Sequence, residues 1–267
     1  MSDRERPILF STPMVRALLA GTKTQTRRIV KPAPHRDATA VERHYPSGGY
    51  LAWRLGTGTP SSGVQVGAPL YCPYGVVGDR LWVRETHCRF LVGEGMDQPV
   101  PECVAYRATH GETFDYINTR GEETSLSVTK WTPAIFMPRW ASRINLEITG
   151  IRVQRLHAIS EDDAKAEGVE RDTAPCDHTR RSCADVGCMG PTYRSTYAEL
   201  WNEINGEDGW DANPWVWVIS FARVARVARV DEVCDGLHDE GAPDHHLCSR
   251  CYPNGSEALR EDVSGEA

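Results

Sequence analysis

"NPWVWVISFARV" (residues 213–224) is the stretch that decides how this chain folds. Trp, Val, Ile and Phe crowd into it, and β-branched and aromatic side chains favour a pleated, well-packed strand. It predicts a strong closing strand, and the elements before it can be read backward from there. "TYRSTYAELWNEING" predicts a helix whose Tyr193, Tyr197, Leu200, Trp201 and Ile204 share one stripe. "ISEDDAKAEGV" predicts a short helix with Ser160 as cap, acidic residues in its first turn and Gly168 ending it. "MPRWASRINLEITGIRVQRL" alternates through Ile144, Leu146 and Ile148, with Thr149-Gly150 marking a turn or bulge before Ile151 and Val153.

Further upstream, "GDRLWVRETH" reads as a strand with Leu81, Val83 and Glu85 on one face. "CVAYRA" reads as a shorter one. "STPMVRALLAG" reads as a short helix with Ser11 or Thr12 as N-cap, Pro13 in the first turn and Gly21 beyond its end. The order helix, strands, short helix, longer helix, closing strand predicts an α+β fold, a compact mixed β-barrel with peripheral helices. Residues 32–78, rich in Pro, Gly and Ser, are expected to be irregular, and 88–130 and 170–190 read as further insertions. Composition changes after residue 230, so 1–230 is expected to form the main domain and 231–267 a small module of its own.

Forty per cent hydrophobic and 25% charged residues in 267 describe a globular chain. No apolar run approaches the roughly 18 residues that span a bilayer. The start "MSDRERPILF" has no secretion signal, so a cytoplasmic protein without a membrane partner is expected. A net charge of −7 argues against a broad duplex-binding groove. Residues 1–36 nevertheless carry eight Lys/Arg against two acids, and 231–267 carry ten acids against two arginines. Local anion recognition fits this distribution better than a groove along a polymer. There is no βαβ rhythm, no GxGxxG and no P-loop.

"GTKTQTRR" (residues 21–28) gathers Lys23, Arg27 and Arg28 with the hydroxyls of Thr24 and Thr26. Such groups suit a phosphate, a carboxylate or an amide-bearing ligand, although a solvated basic strand has the same composition. A lysine becomes a general base if burial and neighbouring cations lower its proton affinity. Glu167 stands at a helix C-terminus, against the helix dipole, either as a solvated side chain or held there by another interaction. Glu85 lies on an otherwise apolar strand face, as a ligand-binding candidate or the partner of a buried arginine.

Nine cysteines without a secretion signal argue against a disulfide framework, and two clusters point to structural zinc instead. One offers Cys176, His178, Cys183 and Cys188. The other offers Cys234, His238, Cys248 and Cys251, with His245 or His246 as substitutes for His238. Cys72, Cys88 and Cys103 have no evident partners.

"ILFSTPMVRALLAGTKTQTRR", "GDRLWVRET", "ISEDDAKAEGV" and "NPWVWVISF" together resemble the ASCH family of the PUA-like superfamily, over most of residues 7–222. With "MPRWASRI" and "WDANPWVWV", the pattern is similar to phage and prophage ASCH-like proteins. The resemblance implies a small pseudo-barrel that binds RNA or a modified base in a cleft. One compact member is an amidohydrolase that deacetylates N4-acetylcytidine, and its catalytic residues fall here on Lys23, Thr26 and Glu167. Lys23 would be the base, Thr26 the nucleophile or activator of water, and Glu167 the proton shuttle, with Thr24, Arg27, Arg28 and Glu85 binding ligand. Arg27 departs from the family pattern, which has an apolar residue there. The implied partner is a modified nucleoside, a nucleotide or RNA/DNA. The alternatives are a nucleic-acid-binding module without chemistry and a phage accessory protein that acts through protein contacts.

Overall fold

The computed structural model describes residues 4–44, 49–54, 64–91, 102–117, 123–171 and 192–224. Strand β1 (Glu5–Leu9) leads into helix α1 (Thr12–Leu19) and then β2 (Gln25–Ile29). Strands β3 (Ala40–His44), β4 (Gly49–Arg54) and β5 (Val64–Gln65) pair with one another in the stretch expected to be irregular. After β6 (Arg80–Arg84) come β7 (His87–Leu91) and β8 (Glu102–Tyr106), which pair, and the four-residue helix α2 (Arg107–His110). The pair β9 (Thr113–Ile117) and β10 (Glu123–Ser127) follows, then the long β11 (Asn145–Arg155). Helices α3 (Glu161–Ala166) and α4 (Tyr193–Asn205) precede the closing strand β12 (Trp215–Val224).

The expected closed barrel is not formed. The main sheet has five strands in the order β1-β6-β11-β12-β2, and β1 and β2 are its two edges. A barrel requires every strand to have two neighbours. The strands that 32–78 and 88–130 contribute pair among themselves, in sheets of three, two and two strands, and so add nothing to either edge. Among the described residues the architecture is α+β, with one open sheet and three small ones.

β12 lies between β11 and β2, which explains its composition. Trp215, Val216, Trp217, Val218 and Ile219 are all buried, as expected of a strand covered on both faces. Val216 and Val218 pack with Leu156, Ile159, Ala164, Tyr197, Ala198, Trp201 and Trp210, a core that includes residues of α3 and α4. Trp217 faces the other way and meets the Tyr50 ring edge-on at 5.0 Å. β11 continues as one strand through Gly150, so no turn breaks it there, while burial passes from Leu146 and Ile148 to Val153, an odd step that shifts the buried face across Thr149-Gly150.

The chain divides into two units. The described residues of the first fall within Met1–Arg6, Ala17–Leu81 and Leu146–Val224, and those of the second within Pro7–Arg16 and Trp82–Asn145. The second has its own small core of Val104, Tyr106, Met137 and Ala141, with Trp140 packed against it.

Leu146 is fully buried on β11. Leu146→Ala is expected to lower unfolding stability by about 2–5 kcal/mol, the range for emptying a packed leucine site. Urea denaturation measures this, and a loss below about 1 kcal/mol would show that β11 does not anchor the core.

Candidate functional site

The end of α1 and the end of α3 are drawn together by their backbones. Gly21 adopts φ +75°, and the amides of Thr22 and Lys23 both donate to the Ala17 carbonyl. The chain therefore turns back sharply, and Lys23 bridges Glu167 in antiparallel fashion. Next to it, the Thr24 amide donates to the Ala166 carbonyl at 2.9 Å. On the other side, Ser160 caps α3 by accepting from the Asp163 amide at 3.1 Å, and Glu161, Asp162 and Asp163 fill the first turn. Gly168 ends the helix with φ +80°. A Cβ at Gly168 would lie 2.8 Å from the Cβ atoms of both Ala17 and Lys23, so only glycine permits this approach.

The carboxylate of Glu167 is the centre of the resulting cluster. Lys23 Nζ donates to Glu167 Oε2 at 2.9 Å and to the Glu167 carbonyl at 2.7 Å. Arg27 Nη1 donates to Glu167 Oε1 at 3.0 Å and to Gln25 Oε1 at 2.7 Å. Its Nη2 donates to Asp163 Oδ2 at 2.8 Å, and Arg152 Nη2 donates to both Asp163 oxygens. The Lys23 and Arg27 side chains are 0% exposed and Glu167 is 2% exposed. The Arg27 guanidinium also lies over the Tyr197 ring, 5.9 Å from its centroid. Three cations and two carboxylates thus form one connected network, and Arg28 lies beside it in sequence.

Burial pushes the Lys23 ammonium below the ordinary lysine value of 10.5. Glu167 opposes this by charge and hydrogen bond, while Arg28 and Arg27 add to it, and the net direction is down. Burial raises Asp163, but the Arg152 hydrogen bonds and the charges of Arg27 and Arg152 outweigh it, leaving the carboxyl below 3.8. Tyr197 is held well above its ordinary value by burial and then by the Glu167 charge. A lysine of weakened proton affinity in direct contact with a carboxylate can take up a proton and pass it on.

The predicted residues separate into groups. Lys23, Arg27 and Glu167 meet directly. Thr26 is fully buried, but alternation along β2 places it on the face opposite Gln25 and Arg27, paired with Ile219 of β12. Its Oγ1 accepts from Arg28 Nη1 at 2.8 Å. Thr24 is exposed. Glu85 belongs to the second unit, where Arg143 grips it with Nε at 2.9 Å and Nη2 at 3.0 Å, so its ion-pair reading holds. Arg143 itself stacks on Tyr106 at 3.9 Å from the ring centroid.

Cys176, His178, Cys183 and Cys188 lie outside the described residues, as do Cys234, His238, Cys248 and Cys251. Cys72 and Cys88 are free cysteines, and Cys103 is buried. Among the described residues no group of three or more His, Cys, Asp or Glu is placed to hold a metal ion. Nor is any helix among them long and apolar enough to cross a membrane.

Sequence reading missed Gln25, Asp163, Arg152 and Tyr197. Two of these left a signal. Gln25 shares the alternation of Lys23 and Arg27, and Asp163 lies one helical turn before Glu167. No family model, curated protein or solved structure matches the chain significantly.

Glu167→Ala leaves Lys23 and Arg27 without their shared acceptor and is expected to cost about 3–5 kcal/mol of stability. Thermal or urea unfolding measures it. Asp163 titrates lower when folded than the 3.8 of an unperturbed carboxyl, so its contribution is fully present above 3.8 and is lost as pH falls through the lower folded value. The stability gap between wild type and Asp163→Asn should therefore narrow between pH 6 and pH 2, roughly the span of such a titration. A gap that stays constant over that span would show that the Arg27 and Arg152 contacts do not perturb Asp163.

Proposed function

We propose that this chain is an ASCH-type protein that recognises a nucleotide or nucleobase and hydrolyses an acylated exocyclic amine, of the N4-acetylcytidine kind. The observation that supports this reading most is the direct contact between Lys23 Nζ and the Glu167 carboxylate, with the lysine's proton affinity lowered by burial. In the proposed reaction, water attacks the acyl carbon and gives its proton to Lys23. The proton passes through Glu167 to the leaving amine as the C–N bond breaks, releasing a carboxylic acid and the free base.

Thr26 takes a different part from the one the family resemblance implies. Its hydroxyl accepts from Arg28 on the other face of β2, which suits orientation of a binding arginine rather than attack on the substrate. Water is therefore the nucleophile in this reading. Because Lys23 and Glu167 are closed to solvent, the reaction requires a step that uncovers them.

Incubation of N4-acetylcytidine with the protein, followed by chromatography of the released cytidine, tests the proposal. Lys23→Met and Glu167→Gln are each expected to reduce turnover by about 10²–10⁴-fold, the usual worth of a positioned acid or base, with far-UV circular dichroism retained. Thr26→Val should cost less than about tenfold, because it removes no proton-transfer group. The wild-type rate should rise with pH along a limb centred below 10.5. No turnover of any acylated nucleoside by the wild-type protein would sink the hydrolytic reading and leave recognition without chemistry.

A further inference from the structure

A cavity of about 460 Å³ lies between the chain that follows β2 and the chain that follows β5, wholly within the first unit. Its size falls within the roughly 300–1,000 Å³ of small-molecule sites. Buried Val30, Leu70 and Trp217 form its floor. Trp217 alternates with Val216 and Val218, and Val218 pairs with Arg27, so the cavity lies on the sheet face opposite the Lys23–Glu167 cluster.

The walls separate donors from apolar surface. Pro32, Pro34 and Pro69 have no backbone N–H, and the amides of Val30 and Leu70 are spent on the carbonyls of Trp215 and Tyr50. Exposed side-chain nitrogen belongs to Lys31 and His35, and among the described residues no aspartate or glutamate lines the cavity. The Lys31 ammonium has no hydrogen bond or ion pair among the described residues. Gly67, at φ +78°, lets the two segments close, since a Cβ there would crowd His35 Cβ at 3.3 Å. The Asp37 amide donates to His35 Nδ1 at 3.3 Å, so the ring proton sits on Nε2, and that nitrogen donates in either charge state. Asp37 Oδ2, 3.7 Å from Nδ1, balances the ring whenever it is charged. One uncompensated positive charge remains, with a second N–H donor in the same segment. This pair matches the two oxygens and single charge of a carboxylate better than a phosphate monoester of about −1.5 to −2.

Tyr71 supplies an independent observation for the rest of the ligand. A Cβ at Gly49 would lie 3.0 Å from Tyr71 Cε1, so the ring rests against backbone, yet the residue is 61% exposed. A braced aromatic ring open to solvent, in a cavity otherwise walled by prolines, offers flat apolar surface to a planar ring.

We infer that this cavity binds a small aromatic carboxylate, its ring against Tyr71 and the prolines and its carboxylate on Lys31 Nζ and His35 Nε2. Such binding is independent of the hydrolysis proposed at Lys23.

The probes 2-naphthoate and 2-naphthamide share a ring system and differ in the charged group. Titration calorimetry on the full chain is expected to show naphthoate binding at least about tenfold more tightly, the worth of one charge-assisted hydrogen bond. Lys31→Met should bring the two close to equal. Tyr71→Ala should weaken both by similar factors and leave their ratio unchanged, while Tyr71→Phe binds like wild type. Both residues are exposed, so these variants are expected to fold. Equal binding of naphthoate and naphthamide by the wild-type protein overturns the carboxylate assignment, and so does a ratio that Lys31→Met leaves unchanged. Cytidine monophosphate that binds more tightly than naphthoate, with the same dependence on Lys31, overturns it in favour of a nucleotide. Octanoate bound as tightly as naphthoate overturns the aromatic assignment. No binding of naphthoate at about 1 mM, the range of weak small-ligand sites, overturns both.

Discussion

The carboxylate of Glu167 receives Lys23 on one oxygen and Arg27 on the other, and the arrangement of the first unit around it follows from that sharing. A carboxylate at a helix C-terminus opposes the helix dipole, at a cost of roughly 0.3–1 kcal/mol. Each hydrogen bond to a charged partner contributes about 1.5–3 kcal/mol, so the two cations outweigh the dipole. The same sharing answers the problem posed by Arg27. A guanidinium with a fully buried side chain in the middle of a strand needs its charge met on the spot, and Glu167, Asp163 and Gln25 together meet it. Removing any one of these acceptors leaves a buried charge only partly compensated, which is why the cluster behaves as a unit rather than as separate pairs.

Backbone geometry makes the sharing possible. Lysine has a long side chain, yet Lys23 donates to the carbonyl of Glu167 as well as to its carboxylate, which demands that the two backbones run close together. Gly168 allows this because it has no Cβ to collide with Lys23 and Ala17. Gly21 allows it from the other side, by turning the chain at the end of α1. The glycines therefore belong to the site as much as the charged residues do, although neither touches a carboxylate.

Elements with a strong local period were legible in the sequence. α1 and α3 announce themselves through caps and terminal glycines, α3 also through its acidic first turn and α4 through its apolar stripe, and the structure places Ser160 and Gly168 in the roles expected for α3. β12 was legible because a strand covered on both faces must be apolar throughout. Barrel closure was not legible, because which strands pair is a non-local property that no stretch of sequence carries alone. The strands within 32–78 were hidden by the Pro, Gly and Ser around them, whose turn chemistry masks short paired segments such as Gly49–Arg54. In the site, Lys23 and Glu167 could be picked out, one by its basic setting and the other by its conflict with the dipole. Thr26 was grouped with them by the family resemblance, yet alternation along β2 turns it to the opposite face. Arg152 gave no signal, since an arginine in an alternating strand reads as solvated until its partner is known.

A base at Lys23 poses a physical conflict that the fold bears on directly. Burial lowers the lysine's proton affinity, and the same burial keeps substrate away from it. Both conditions can hold only if the element over the lysine is weakly held on its own account. α3 meets that condition, because it has six helical residues, far fewer than the roughly 12–15 at which an isolated helix becomes even marginal in water. It is kept in place by the Ser160 cap, the packing of Ala164 and the ion pairs of Asp163 and Glu167. The Glu167 ion pair also bears on the charge state of Lys23, where it opposes the lowering that burial causes. Loosening α3 and releasing the lysine from Glu167 are thus one event, so a ligand that competes for Lys23 and Arg27 would itself supply the driving force for opening.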